Sequence, residues 1–242
     1  MILGPTASGK SRWAKKLAAR FNAELIAADS RQIYRGMDIG TNKSPAHLVD
    51  IANPGDYFSV EDYQKLALRI IKKIHSKNKL PIIVGGTGLY IQSLVDNLRF
   101  PQAQPNTALR KKLQGKLNQR EIRKLEIILS GSNLGTKGRP LFNILQIGIK
   151  IDREKLYRRI DRRVDQMISE GLLEERRKLG KNLPKTIGYF ESSAEKIKTN
   201  TRRYSRRQMT WFKRDQRIKW CEKYSEAEKL VKEFLSKYAP SH

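Results

Sequence analysis

A chain of 242 residues, 38% of them hydrophobic, is long enough to bury a substantial core while keeping a polar surface. Fifty Lys and Arg against 24 Asp and Glu leave +26, concentrated after residue 100 in 153–163 and 202–219, which points to a polyanionic partner, nucleic acid, rather than a merely solvated basic surface. No apolar run approaches membrane-spanning length, Gly4, Pro5 and Gly9 interrupt any signal-peptide pattern, and the one cysteine, Cys221, allows no internal disulfide; a cytosolic (cytoplasmic) protein, off the membrane, is expected.

Residues 1–98 alternate short apolar runs with helical patterns, which predicts βαβ units and a parallel sheet. Ile2 and Leu3 lead into a glycine-rich turn, after which Trp13, Leu17 and Ala18 share a helix face. Residues 24–28 read as a second strand ending at Asp29, and 38–57 as mainly loop. Ser59, with Asp62 three positions on, caps a helix that buries Tyr63, Leu66, Ile70 and Ile74. Residues 80–84 form a third strand, followed by Gly85 to Gly88 and a helix through Leu98. Pro101 and Pro105 break the pattern; 110–129 reads as helical, 131–140 as loop and 144–151 as strand. Asp152 opens a long helix with Leu156, Ile160, Val164 and Met167 as its inner stripe and Arg158, Arg159, Arg162 and Arg163 beside or outside it. Two more helices are expected, at about 201–219 and 226–238.

Gly4-Pro5-Thr6-Ala7-Ser8-Gly9-Lys10-Ser11 fits G-x-x-x-x-G-K-[ST] between a strand and a helix, the setting a phosphate-binding P-loop requires. Backbone N–H groups converge there on phosphate oxygens, the helix N-terminus adds partial positive charge, and Lys10 adds a full one. The Ser11 hydroxyl can hold Mg²⁺. The motif implies a bound di- or triphosphate without distinguishing a donor nucleotide from a departing diphosphate.

The segment Asp29-Ser30-Arg31-Gln32, continued by Ile33-Tyr34-Arg35-Gly36-Met37-Asp38-Ile39-Gly40-Thr41, narrows the choice. With the P-loop, Gly85-Gly86-Thr87-Gly88-Leu89-Tyr90 and the run from Thr201 to Phe212, it resembles the tRNA dimethylallyltransferase (isopentenyltransferase) family over nearly the whole chain. The resemblance implies transfer of the dimethylallyl group from dimethylallyl diphosphate to N6 of adenosine 37, in tRNAs reading codons that begin with U, with release of pyrophosphate. It implies an α/β fold in which a P-loop parallel sheet is flanked by helices. The catalytic core is then 1–98, a reduced helical insert 99–140, and 141–242 completes the core with a basic helical region. The partners are tRNA, at its anticodon stem-loop, and the prenyl donor, and the protein is read as a monomer.

The resemblance also distributes roles. Asp29 matches the general base, with a Mg²⁺-binding or helix-capping carboxylate as the plainer reading. Thr87 matches the threonine near the bridging oxygen of the donor and equally suits a helix cap. Lys10, Ser11 and Mg²⁺, the implied cofactor, would stabilise the departing pyrophosphate, with Gly4, Pro5, Thr6, Ala7, Ser8 and Gly9 completing the donor site. Asp29, Ser30, Arg31 and Gln32 match the segment that contacts the target nucleotide, flipped from its stack. Gln119, Arg120, Glu121, Ile122 and Arg123, with Arg110, match a second tRNA-contacting stretch, against the plain reading of an exposed basic helix face. Arg202 and Arg206 would sit on phosphates, while Trp211 and Phe212 suit the core better than base stacking. His47 reads as a loop hydrogen-bonder.

Three departures from the family pattern stand out: a first strand of few residues, Phe190 where a basic residue is usual, and little chain between Arg110 and Gln119, where bacterial relatives place a helical insert. The zinc finger of eukaryotic relatives is absent too. A free-nucleotide prenyltransferase or a P-loop small-molecule kinase would share the phosphate loop, and a non-catalytic RNA-binding protein would share the basic half. The Gln119 to Arg123 match argues against a small acceptor, and the intact Lys10, Ser11, Asp29 and Thr87 against a lost activity.

Overall fold

The computed structural model describes residues 1–132, 135–180 and 183–238, with only the backbone of residues 119 and 120. In chain order the elements are β1 (Ile2–Leu3), α1 (Lys10–Arg20), β2 (Ala23–Ala28), α2 (Val60–His75), β3 (Leu80–Gly85), α3 (Gly88–Val95), β4 (Leu98–Arg99), α4 (Thr107–Leu113) and α5 (Gln119–Leu129). There follow β5 (Thr136–Lys137), β6 (Gln146–Ile149), α6 (Arg153–Ser169), α7 (Leu172–Leu179), α8 (Ala194–Phe212), β7 (Ile218–Cys221) and α9 (Tyr224–Tyr238). Two compact units result, one of Met1–Ile91 with the chain from Asn143 onward, the other of Gln92–Phe142.

The larger unit is built on a parallel five-stranded sheet in the order β2-β3-β1-β6-β7. Ile2 sits between Val84 and Ile147, so the first residues of the chain form its central strand. Trp13, Ala14 and Leu17 of α1 pack with Ile82, Val84 and Ile147, and Ala227 and Val231 of α9 close the same cluster. A second cluster joins Ile33 and Met37, from the chain after β2, to Leu156, Ile160 and Val164 of α6, Leu172 of α7, Tyr189 from the chain before α8, and Ile197 of α8. That cluster ties the segment following Asp29 to helices more than a hundred residues away. Ser59 and Asp62 make the expected reciprocal cap of α2, and Asp152 caps α6 through the Lys155 amide.

Several element boundaries differ from the sequence reading. The helix after Gly88 stops at Val95, before Asn97 at φ 43°. The stretch read as one helix over 110–129 is two, broken around Gly115 at φ 80°. The helix expected at about 201–219 starts earlier, at Ala194, and ends at Phe212; Ile218–Cys221 is a strand, not a helix end. Its buried Ile218 and Cys221 and its pairing with β6 outweigh the local helical signal. Helix α7 had no counterpart in the sequence reading.

The smaller unit pairs β4 with β5 antiparallel, Leu98 opposite Lys137. Glu126 lies at its centre with a fully buried side chain. It accepts from Arg110 Nε at 2.7 Å, Arg123 Nη1 at 3.1 Å and the Asn106 amide at 2.8 Å. Arg110 foremost, with the Asn106 amide and Arg123 adding to it, holds the Glu126 carboxyl down at about 2 against the opposing cost of burial.

Candidate active site

The phosphate loop follows β1 directly. Ala7 at φ 60° and Gly9 at φ 101° turn the chain left-handed before Lys10 opens α1. A left-handed alanine is strained, and such strain persists where surrounding structure enforces it, commonly at functional loops. Lys10 Nζ folds back to the Pro5 carbonyl at 2.6 Å. Burial of its ammonium pulls Lys10 down to about 7, with Asp29 working against that shift and Arg163 adding to it. An anion entering the loop would add to Asp29 a further negative charge beside Lys10.

Asp29 ends β2, at the rim where parallel sheets gather ligand-facing residues. Its Oδ1 accepts from the Arg31 amide at 2.9 Å, which fixes the Asp29-Ser30-Arg31 turn. The Thr87 hydroxyl accepts from the Ser30 amide at 3.0 Å and lies 3.4 Å from Ser30 Oγ. Thr87 thus buttresses the Asp29 turn from the end of β3. Gln32 donates its amide hydrogens to the Thr41 and Asn42 carbonyls at 3.0 and 3.2 Å.

Two cavities meet at this rim. The smaller, about 70 Å³, is walled mainly by polar side chains and glycine, Lys10, Ser11, Gln32, Gly86 and Gln208 among them, with Ala27, Ala46 and Val84 beside these. The larger, about 260 Å³, is lined by Ile160, Val164, Met167, Ile187 and Ile197 together with Arg31, Lys185 and Arg207. Thr6, Asp29, Thr41, Arg163 and Tyr204 line both. An anion-suited compartment and a hydrocarbon-suited one therefore share a wall that carries a carboxylate.

The sequence reading missed four residues here. Arg163 donates to Thr6 Oγ1 at 3.0 Å; beside the α6 stripe, it is turned toward the phosphate loop. Arg159 reaches the Ser8 carbonyl at 3.2 Å. Gln208 accepts from the Thr6 amide at 2.8 Å and donates to the Gly86 carbonyl at 2.9 Å. Tyr204, read only for possible stacking, stands between the cavities with the Arg207 guanidinium 5.8 Å from its ring centre. The signal for Arg163 was present in its spacing, one residue before Val164 on the inner stripe.

The remaining expected residues divide. Arg31 lines the larger cavity, and Arg206 is exposed on α8. Arg202 is held by Asp161, Nε to Oδ1 at 2.9 Å, and lies 5.7 Å from the Tyr157 ring centre. Glu121 caps α5 reciprocally with Asn118. Ile122, 1% exposed, belongs to the core, which corrects its place among RNA-contacting side chains. Arg110 and Arg123 spend their guanidiniums on Glu126 rather than forming an open basic face. The side chains of Gln119 and Arg120 lie outside the described residues. His47 bonds Glu24 at 2.8 Å through Nε2, and its backbone extends the β2 edge. Phe212 is buried, and half-buried Trp211 lies against Gly88.

Known proteins place this arrangement. The IPP transferase family model matches residues 32–130 and 108–215, two stretches that overlap within the smaller unit. The tRNA dimethylallyltransferase of Pelotomaculum thermopropionicum is 37% identical over 294 residues, covering 96% of this chain and 94% of that protein. That of Caldanaerobacter subterraneus is 38% identical over 304, covering 98% and 96%. Both alignments exceed the 242 residues here, so these relatives carry residues with no counterpart in this chain. The crystal structure of the tRNA isopentenylpyrophosphate transferase of Bacillus halodurans superposes with a TM-score of 0.76 at 33% identity, covering 98% of this chain and 94% of that one. The corresponding transferase of Staphylococcus epidermidis gives 0.75 at 31%, covering 98% of both. On its sequence, its sheet and the loops that converge at its rim, the chain belongs to the tRNA dimethylallyltransferase (IPP transferase) family.

Proposed function

We propose that this enzyme transfers the dimethylallyl group of dimethylallyl diphosphate to N6 of adenosine 37 in tRNAs that read codons beginning with U. The observation that carries this reading is the wall shared by the two cavities, with Asp29 in it. The diphosphate occupies the polar compartment beside Lys10 and Ser11, and the prenyl chain lies against the aliphatic side chains of α6 and α8. The adenine N6 attacks C1 as the C1–O bond breaks, the bonding pair leaves with pyrophosphate, and the N6 proton passes to the Asp29 carboxylate. Lys10 and Arg163 take up the charge that grows on the leaving group. Thr87 acts through Ser30, holding the turn that aims Asp29.

Ser11 places a hydroxyl on the small cavity, a donor that suits Mg²⁺ when diphosphate oxygens and water complete its shell, which leaves the Asp29 carboxylate to take the N6 proton. No group of three or more His, Cys, Asp or Glu suited to a metal occurs among the described residues, so the ion would depend on the substrate for its hold. Bound there, Mg²⁺ would neutralise diphosphate charge.

Incubation of unmodified tRNA with the protein, Mg²⁺ and dimethylallyl diphosphate, followed by mass spectrometry of the nucleosides, tests the reading. One dimethylallyl group on adenosine is expected, with none on AMP. Modification of AMP alone would overturn the assignment. Asp29→Asn should retain pyrophosphate binding while transfer falls by about 10²-fold or more; unchanged transfer would remove Asp29 from the chemistry.

A further inference from the structure

Helix α7 delivers one carboxylate to the loop that walls both cavities. Glu175 Oε2 accepts from the amides of Asp38 and Ile39 at 2.9 and 2.7 Å, and Oε1 accepts from the Gly40 amide at 3.1 Å. The hydroxyl of Tyr189, a residue only 1% exposed, donates to the same Oε1 at 2.5 Å. Three successive backbone donors on one carboxylate form a nest closed around a side-chain anion. The fit is tight, since a Cβ at Gly40 would lie 2.4 Å from the Tyr189 ring.

The next residues extend this clamp toward the site. Thr41 Oγ1 donates to the Met37 carbonyl at 2.5 Å, which sets the Thr41 backbone across the turn. The Thr41 and Asn42 carbonyls in turn receive both amide hydrogens of Gln32. Two carbonyl partners permit one amide orientation only, with nitrogen toward them. Gln32, on the wall of the Asp29 cavity, is left its Oε1 with which to meet a ligand. An oxygen held in this way accepts from an exocyclic amine and opposes a keto oxygen.

We propose that Glu175, seated by Tyr189, is a positioning residue for acceptor selection: through the amides of residues 38–40 and the carbonyls of residues 41 and 42 it holds Gln32 so that the site takes a base bearing an amine, adenine rather than hypoxanthine. The proposal rests on the prenyl-transfer reading above. It assigns a function to α7, a helix outside the Arg159, Arg163 and Gln208 hydrogen bonds to the phosphate loop.

The test is a double-mutant cycle on transfer to an anticodon stem-loop RNA, with competition by the same RNA carrying inosine at the acceptor position. Wild-type protein that transfers nothing would overturn the underlying reading, and the acceptor role of Glu175 with it. Given transfer, Glu175→Gln and the milder Tyr189→Phe should each raise KM for the RNA, Glu175→Gln by about 10-fold, and should weaken discrimination against the inosine RNA by a similar factor. KM for dimethylallyl diphosphate should stay within about twofold, which separates the effect from unfolding. In a Gln32→Ala background the same substitutions should add less than about twofold, because residues acting through one another are not additive. Full multiplicative effects in that background, unchanged discrimination, or equal damage to both KM values would each reduce Glu175 to a structural staple.

Discussion

Gln208 Oε1 accepts from the Thr6 amide at 2.8 Å, across 202 residues of chain, while its Nε2 reaches the Gly86 carbonyl. One buried side chain of α8 thereby bolts the phosphate loop to the loop after β3. Gln208→Met keeps the volume and removes both bonds, leaving a half-buried donor and a buried acceptor unmatched. It should lower stability by about 1–3 kcal/mol, measured by chemical denaturation, and raise KM for the prenyl donor. Gly86→Ala should do similar harm from the other side, since its Cβ would fall 2.2 Å from Gln208 Nε2.

Lys10 titrates at about 7 in the free protein, lowered by burial. Pyrophosphate beside it favours the charged form and raises that value. Binding therefore takes up a proton above pH 7, and the contribution of Lys10 to affinity is full below pH 7 and declines as the pH rises through the raised value. Calorimetry at pH 8 in buffers of different ionisation enthalpy measures this uptake as the difference between wild type and Lys10→Met. Equal proton uptake by the two proteins would contradict it.

In the smaller unit the Glu126 carboxyl is depressed to about 2. Its stabilising contribution is present above the ordinary carboxylate range and is lost as the pH falls from about 4.5 toward 2. Glu126→Ala leaves two guanidiniums without their shared partner and should cost about 3 kcal/mol. Hydrogen exchange across α4 and α5 measures it: protection should fall there and stay unchanged in the β1–β3 sheet.

Affinity for tRNA should fall steeply and linearly on a log–log salt scale, because counterions are released from each neutralised phosphate. Arg206→Ala should reduce that slope; Arg110→Ala should act through the stability of the smaller unit and leave the slope unchanged. Filter binding from low to moderate salt distinguishes the two.

Most of the nucleotide-binding half was legible because its signals are local. The phosphate loop is one contiguous motif, the capping box of α2 spans four residues, and β2 and β3 are short apolar runs closed by Asp29 and Gly85. The residues that complete the site were not, because only the folded chain makes them neighbours. Arg163, Glu175 and Gln208 are ordinary polar helix residues until the helices dock. Strand β7 was hidden for a related reason: Lys219 and Trp220 between Ile218 and Cys221 make a weak strand signal, and pairing with β6 decides the matter. The partner of Arg110 and Arg123 was hidden likewise, since two basic residues near a predicted helix face announce RNA as readily as they announce a buried Glu126.

The order in which the ribosome releases this chain decides when the Gln208 and Glu175 contacts can form. The phosphate loop emerges first and Gln208 about 180 residues after Asp29, an interval of roughly 10–40 s at ordinary elongation rates. Throughout that interval the nascent loop lacks its bolt and the segment after Asp29 lacks its clamp. Competence to hold pyrophosphate arrives late in translation, so a chain truncated before Gln208 is left with the motif and without the pocket.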